Sequence, residues 1–269
     1  MTTPPDELAR HIRRQIIEQS KRAHVGHIGS ALSIADVLAA LYGGVLRGAP
    51  GDADRDRFIL SKGHAALAVY AALHAAGRLT DEELASYCSD GTALGAHPEH
   101  RLPGIDFSTG SLGHGLSIGV GAALAARLDG SQRRTFVLIS DAELNEGSVW
   151  EAAMFAAHHR LGRLTAVLDL NGQQALGYTR DVIDLHSVSG RFGAFGWQVA
   201  DVDGHDLSAL TGALGAEPDP DAAPTLVIAR TTFGSGVSYM ESRIEWHYLP
   251  MSDAQYEQAL GELDAQAAG

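Results

Sequence analysis

Two acids and an amide stand where chemistry is easiest to place. Asp141 follows the apolar run Phe136-Val137-Leu138-Ile139, and Asp169 and Asn171 close a second apolar run, Ala166-Val167-Leu168. In a parallel sheet, ligands bind beyond the carboxyl ends of the strands. A carboxylate and an amide oxygen delivered there together are donors that a hard divalent cation such as Mg²⁺ or Ca²⁺ takes. Singly, Asp141 reads as a solvated loop acid and Asn171 as a turn residue. Their spacing, with Glu146 and Glu151 close by, favours a shared site. The chain also carries 13 histidines, several of them beside glycines in loops. A Gly-His at a strand-to-helix turn, as in Ser61-Lys62-Gly63-His64, offers a donor to an anion and lets the backbone approach it.

Composition narrows the class. A chain of 269 residues suits one large α/β domain, and an apolar fraction of 45% supplies a sizeable core. No uninterrupted apolar run approaches the roughly 20 residues that span a bilayer. Residues 1–7 are polar and acidic, without a signal-peptide pattern. The lone cysteine, Cys88, cannot form an intramolecular disulfide and reads as a structural thiol, so a cytoplasmic location is expected. With Asp+Glu at 33 against Lys+Arg at 20, the formal charge is −13, which disfavours nucleic acid and anionic membrane as partners.

The positioning elements follow from periodicity. Residues 6–22 have helical spacing and end in a glycine-punctuated loop, 23–30. Ser33 is expected to cap a helix over 34–46, with Asp36 in its first turn. A strand at 58–60 leads into a helix at 65–76, and Thr80 caps another at 81–87. The stretch 91–115 is rich in Gly, His and Pro, and a loop of that length is usually functional. Helices are expected at 116–128, with Gly119 and Gly121 allowing close packing, and at 148–160. An irregular stretch over 182–196 precedes a strand at 196–199, a helix at 206–215, a buried strand at 225–229 and a last helix that Ser252 caps. Strands alternating with helices indicate a doubly wound parallel sheet flanked by helices.

The stretch Asp141-Ala142-Glu143-Leu144-Asn145-Glu146-Gly147, followed by Trp150-Glu151-Ala152-Ala153-Met154 and answered by Asn171, resembles the cofactor signature of transketolase. The likeness extends over nearly the whole chain. It implies a thiamine-diphosphate-binding fold, with residues 1–269 as the single diphosphate-binding domain. It implies thiamine diphosphate with Mg²⁺ (or Ca²⁺ or Mn²⁺) held by Asp141, Asn171 and the backbone carbonyl of Gln173. It places His64, the turn Gly110-Ser111-Leu112-Gly113-His114, and Ser140, Asp141, Ala142 and Asn171 against the cofactor. His27, His97 and His247 would face the sugar as donors of hydrogen bonds or protons. Glu146 and Glu151, which alone would read as compensation of a helix dipole, would join an interface carboxylate network. His24, His100 and His114 lie near these positions.

Two departures and one absence shape the expectation. The signature acid lies between Ser140 and Ala142, where the family has glycines. A Cβ there either crowds the diphosphate or, at Ser140, adds a hydroxyl contact. Tyr248 follows His247 where a glycine is usual, and its ring is expected to narrow the substrate channel. The carboxylate that activates the aminopyrimidine belongs to the family's pyrimidine-binding domain. The resemblance therefore implies a split enzyme in which that domain and the C-terminal one lie on a partner chain, in an α₂β₂ heterotetramer acting on sugars or sugar phosphates. The implied reaction moves a two-carbon ketol unit from a ketose to an aldose. Two alternatives stand beside it: an acyloin-forming relative with another donor, and a non-catalytic subunit that binds phosphate and regulates a partner.

Overall fold

The computed structural model describes residues 4–268. Its strands are β1 (Arg57–Leu60), β2 (Thr135–Ser140), β3 (Leu164–Leu170), the two-residue pair β4 (Gln173–Gln174) and β5 (Gly177–Tyr178), β6 (Gln198–Asp203) and β7 (Thr225–Arg230). Five of them form one parallel sheet in the order β1-β2-β3-β7-β6, and β4 and β5 form a small antiparallel hairpin. The helices are α1 (Pro5–Ala23), α2 (Ile28–Leu32), α3 (Ala35–Ala40), α4 (Ala66–Ala75), α5 (Asp81–Ala85), α6 (His114–Leu128), α7 (Gly147–His158), α8 (Thr179–Ile183), α9 (Val188–Ala194), α10 (Leu207–Gly215) and α11 (Asp253–Ala268).

The sheet is covered on both faces, and the two-residue period of its strands divides it between two cores. Phe136, Leu138, Val167 and Val227 face one core, built with α1, α3, α4, α10 and α11. Val137, Ile139, Leu168 and Ile228 face the other, built with α6, α7 and α9. Gly119 lets α6 settle on Val137, whereas Gly121 faces open space and plays no part in that packing. Register sets the level of the strand ends: Ser140 pairs with Asp169, so β2 and β3 finish side by side. The doubly wound sheet is as the sequence indicates.

Several local expectations change. Ser33 caps no helix; its hydroxyl donates to the Ser30 carbonyl and to Asp169. The helix expected over 34–46 is α3 followed by a π-helical turn, Leu41–Val45, which the Gly43-Gly44 pair breaks. The apolar stretch Ile28–Val45 has a mean hydropathy of 1.6, enough by composition to cross a membrane, yet 83% of it is buried inside the fold. Asp36 does not serve a helix dipole, because it is buried against Arg13 and 2.7 Å from His205 Nδ1. The stretch 182–196 is largely helical, as α9. Thr80 does cap α5, in a reciprocal box with Glu83.

One close approach ties the last strand to the first loops. Gly29, in α2, lies against the Phe233 ring so closely that a Cβ would overlap it, and the Gly234 N–H donates to the Gly29 carbonyl at 3.1 Å. Gly29→Ala is expected to cost about 1–3 kcal/mol through overpacking. It should lower the urea midpoint without changing the slope; an unchanged midpoint would show that the ring has room to yield.

Candidate active site

A cavity of about 210 Å³ opens beyond the carboxyl ends of β1, β2 and β3. His27, His64, His97 and His247 line it, together with Ser140 and Asn171. Each comes from a different loop: before α2, after β1, in the long 91–113 segment, after β7, and at the tips of β2 and β3.

Asp141 sits at the floor, about 1% exposed. Its carboxylate accepts from the Ala142 N–H at 2.9 Å, the Gly172 N–H at 2.8 Å and the Thr179 hydroxyl at 2.9 Å. All three donors are neutral. Burial, reinforced by the neighbouring Asp169 carboxylate, pushes the Asp141 carboxyl up to about 7. Asn171 arrives at the tip of the next strand. Its amide nitrogen donates to Asp169 at 2.8 Å, and its oxygen accepts from the Gln173 N–H at 2.9 Å. The turn 171–173 thus wraps Asp141, and Gln173 also lines the cavity.

Two further anchors hold the frame. Lys62 and Asp169, both almost completely buried, meet at 2.5 Å. Glu143, fully buried, accepts from the Ser61 hydroxyl, from the Gly113 N–H at 2.8 Å and from the Ser140 N–H at 2.8 Å. It therefore pins the turn Gly110-Ser111-Leu112-Gly113 to the tips of β1 and β2. Burial pushes the Glu143 carboxyl up, against those hydrogen bonds.

The histidines are held as neutral rings. Burial and then His97 lower His27, and burial and then Lys62 hold His64 well below the usual imidazole range. Burial, His27 and Lys62 bring His247 down to about 4. The rings of His27 and His247 lie 5.2 and 6.1 Å from that of His64. His247 stacks on Phe233 at 4.5 Å, and His64 shares a hydrogen bond with the Ser30 hydroxyl at 3.1 Å. His27 Nδ1, His247 Nδ1 and Gln173 Oε1 are buried without a partner among the described residues. Buried polar atoms seldom stay unpaired. A ligand rich in hydroxyl groups would complete them, since a neutral imidazole both donates and accepts.

The remaining sequence candidates fall in three groups. Gly110, Leu112 and Ala142 line the cavity. Ser111 and His114 are exposed beside it, as are His24 and His100, none of them on its wall. Glu146 and Glu151 are exposed and also off the wall, on the side where Met154 and Phe155 of α7 stand 49% and 43% exposed. The Tyr248 ring does not line the cavity. Its hydroxyl donates to the Ala175 carbonyl at 2.5 Å, bracing the hairpin whose Ala175 does line it. Ser140 adds a hydroxyl to the wall and Ala142 a methyl, in place of two hydrogens. Sequence reasoning missed Lys62, Asp169 and Glu143 as parts of the site. The available signal was a charge placed within or directly after a fully apolar strand.

A parallel sheet whose strand tips bring a buried acid, an amide and anion-facing Gly-His turns to one cavity belongs to the thiamine-diphosphate-binding class. The family described as transketolase, thiamine diphosphate binding domain, matches residues 5–266, and the chain belongs to it. Relatives align over nearly their full length. One of the two named subunits of the apulose-4-phosphate transketolase of Phocaeicola vulgatus is 40% identical, covering 93% of this chain and 90% of its own. The 6-deoxy-6-sulfo-D-fructose transketolase subunit SqwG of Clostridium sp. is 38% identical, covering 96% and 95%. The solved transketolase of Campylobacter jejuni superimposes with a TM-score of 0.91 at 28% identity, over 97% of this chain and 42% of its own. The chain thus spans under half of such one-chain enzymes and corresponds to their thiamine-diphosphate-binding part. It is an N-terminal subunit of the split transketolase type, a family whose reaction is thiamine-diphosphate-dependent ketol transfer, and the subunit naming of its relatives implies a partner.

Proposed function

We propose that this chain binds the diphosphate end of the cofactor and a divalent metal, and works with a partner that carries the pyrimidine-binding domain. The observation that carries the reading is the convergence of four histidines, three of them held neutral, on a cavity floored by Asp141 and Asn171. The donor set suits Mg²⁺. Asp141 is a buried carboxylate whose hydrogen-bond partners are all neutral, and no cluster of three or more His, Cys, Asp or Glu competes for a metal among the described residues. One carboxylate, the Asn171 amide oxygen and the Gln173 carbonyl would hold the ion.

When bound, the cofactor supplies the carbanion chemistry of ketol transfer. The protein supplies placement. His64 would meet the diphosphate, and the backbone of residues 110–113, pinned by Glu143, would meet the rings. His27, His97 and His247 would donate to the sugar hydroxyls and carbonyl as charge develops there. Glu146 and Glu151, with exposed Met154 and Phe155 beside them, suit burial against the partner in an α₂β₂ assembly. A cytoplasmic location fits the single, half-buried cysteine.

The donor is the open variable. The relatives are named for a branched sugar phosphate and for a sulfonated sugar, which favours a specialised donor over xylulose 5-phosphate. The test is reconstitution with the partner and assay against xylulose 5-phosphate, apulose 4-phosphate and 6-deoxy-6-sulfo-D-fructose, each with an aldose phosphate acceptor. Turnover is expected only when both chains, thiamine diphosphate and Mg²⁺ are present. Full turnover by this chain alone, or none with any ketose donor, would overturn the proposal.

A further inference from the structure

The buried Lys62–Asp169 pair is the charged group of this site with no assigned role. Lys62 is 1% exposed and Asp169 0%. Asp169 accepts from Lys62 Nζ at 2.5 Å, from the Ser33 hydroxyl at 2.9 Å, from the Thr231 hydroxyl and from the Asn171 amide nitrogen at 2.8 Å. Lys62 also donates to the Ser30 carbonyl at 2.8 Å and to the Ser33 hydroxyl at 3.2 Å. One ion pair therefore joins the tips of β1, β3 and β7 to α2.

Stability alone does not account for it. A buried pair of opposite charges is often replaced by apolar residues without loss, because desolvation offsets the attraction. Geometry gives a better reason. An ionised carboxylate only accepts hydrogen bonds, whereas a carboxamide has a donor end and an acceptor end. Beside Asp169, Asn171 can present only its NH₂ end, so its oxygen must turn to the 171–173 segment that wraps Asp141 and lines the cavity. An unrestrained amide could rotate by half a turn and offer NH₂ where a cation needs oxygen.

We infer that Lys62 and Asp169 are positioning residues that fix which end of the Asn171 amide faces the cation site. Lys62 keeps Asp169 ionised and in place; Asp169 orients the amide. The inference rests on the metal-dependent reading above and concerns what prepares that site.

The test compares three full-length proteins: the unaltered chain, Lys62→Met/Asp169→Leu, and Lys62→Met/Asp169→Asn. Both double variants remove the two charges together, so neither leaves a lone buried ion. Each is saturated with thiamine diphosphate and titrated with Mn²⁺, and free Mn²⁺ is read by electron paramagnetic resonance. Thermal midpoints are measured in parallel without ligand. The Leu-bearing variant should keep its midpoint within a few degrees yet lose about ten- to a hundredfold in Mn²⁺ affinity, the usual effect of removing an outer-shell partner. The Asn-bearing variant, whose carboxamide oxygen can still accept from Asn171, should recover to within a few-fold. Unaltered Mn²⁺ affinity in the Leu-bearing variant, or equal losses in both, would overturn the inference and leave the metal site standing. Failure of the unaltered chain to bind Mn²⁺ would overturn both.

Discussion

Asp141→Asn abolishes the Mg²⁺-dependent binding of thiamine diphosphate and leaves the free chain at least as stable as before: that is the expected result, and its two halves have one cause. The Asp141 carboxylate is buried beside a second carboxylate, and only neutral groups hydrogen-bond to it. Without a cation, its ionised form is disfavoured by desolvation and by repulsion from Asp169. The amide keeps the shape and can still accept from Gly172 and Thr179, while the bond from the Ala142 N–H is lost at about 1 kcal/mol. Relief of the buried charge offsets that loss. With the cation the balance reverses, because Asp141 is the one charged protein donor in the proposed set, and at least a hundredfold in affinity should go with it. Thermal scans with and without thiamine diphosphate and Mg²⁺ read both halves, since a ligand that binds only the folded state raises its midpoint. A ligand-induced rise equal to that of the unaltered chain would sink the assignment. A collapse of the unliganded midpoint would make Asp141 a structural acid instead.

The second large effect is acid lability. His247 is lowered to about 4 in the folded chain from an ordinary value of 6.5. Between those values the unfolded state holds more protons than the folded one, so stability rises with pH across the window. The contribution is complete above pH 6.5 and is lost as pH falls toward 4. A displacement of that size corresponds to about 3 kcal/mol for His247 alone. His27 and His64 move in the same direction. Urea midpoints between pH 7 and 4.5 should therefore fall, and His247→Gln should flatten the slope. A variant whose midpoints run parallel to those of the unaltered chain would show that His247 ionises freely in the fold.

What the sequence revealed and what it hid divide on a physical line. Asp141, Asn171 and His64 were legible because each follows a short apolar strand, and strand tips are where a parallel sheet places its ligands. The doubly wound sheet was legible from the same alternation. Glu143 and the Lys62–Asp169 pair were not, because their partners lie far off in sequence and only the register of β1, β2 and β3 brings them together. Ser33 was misread for a related reason. Its hydroxyl has the local option of capping a helix, but a buried carboxylate from β3 is the stronger acceptor. The helix α9 escaped notice because a seven-residue segment buries only Val188 and Phe192, too little to show a period. The side chains of Glu146 and Glu151 are the reverse case: plain in the sequence, yet solvated in the chain by itself.

The backbone link between His27 and His247, an N–H to carbonyl bond of 3.3 Å, has a consequence for biosynthesis. It joins two loops far apart in the order of synthesis, across a wall that needs both. While the chain is still on the ribosome, the segments made first can emerge and fold against themselves, but the pocket has one side missing until the later loop clears the exit tunnel. Vitamin loading must then be a post-translational event, and a prematurely terminated product would be unable to capture the coenzyme from the cell's pool.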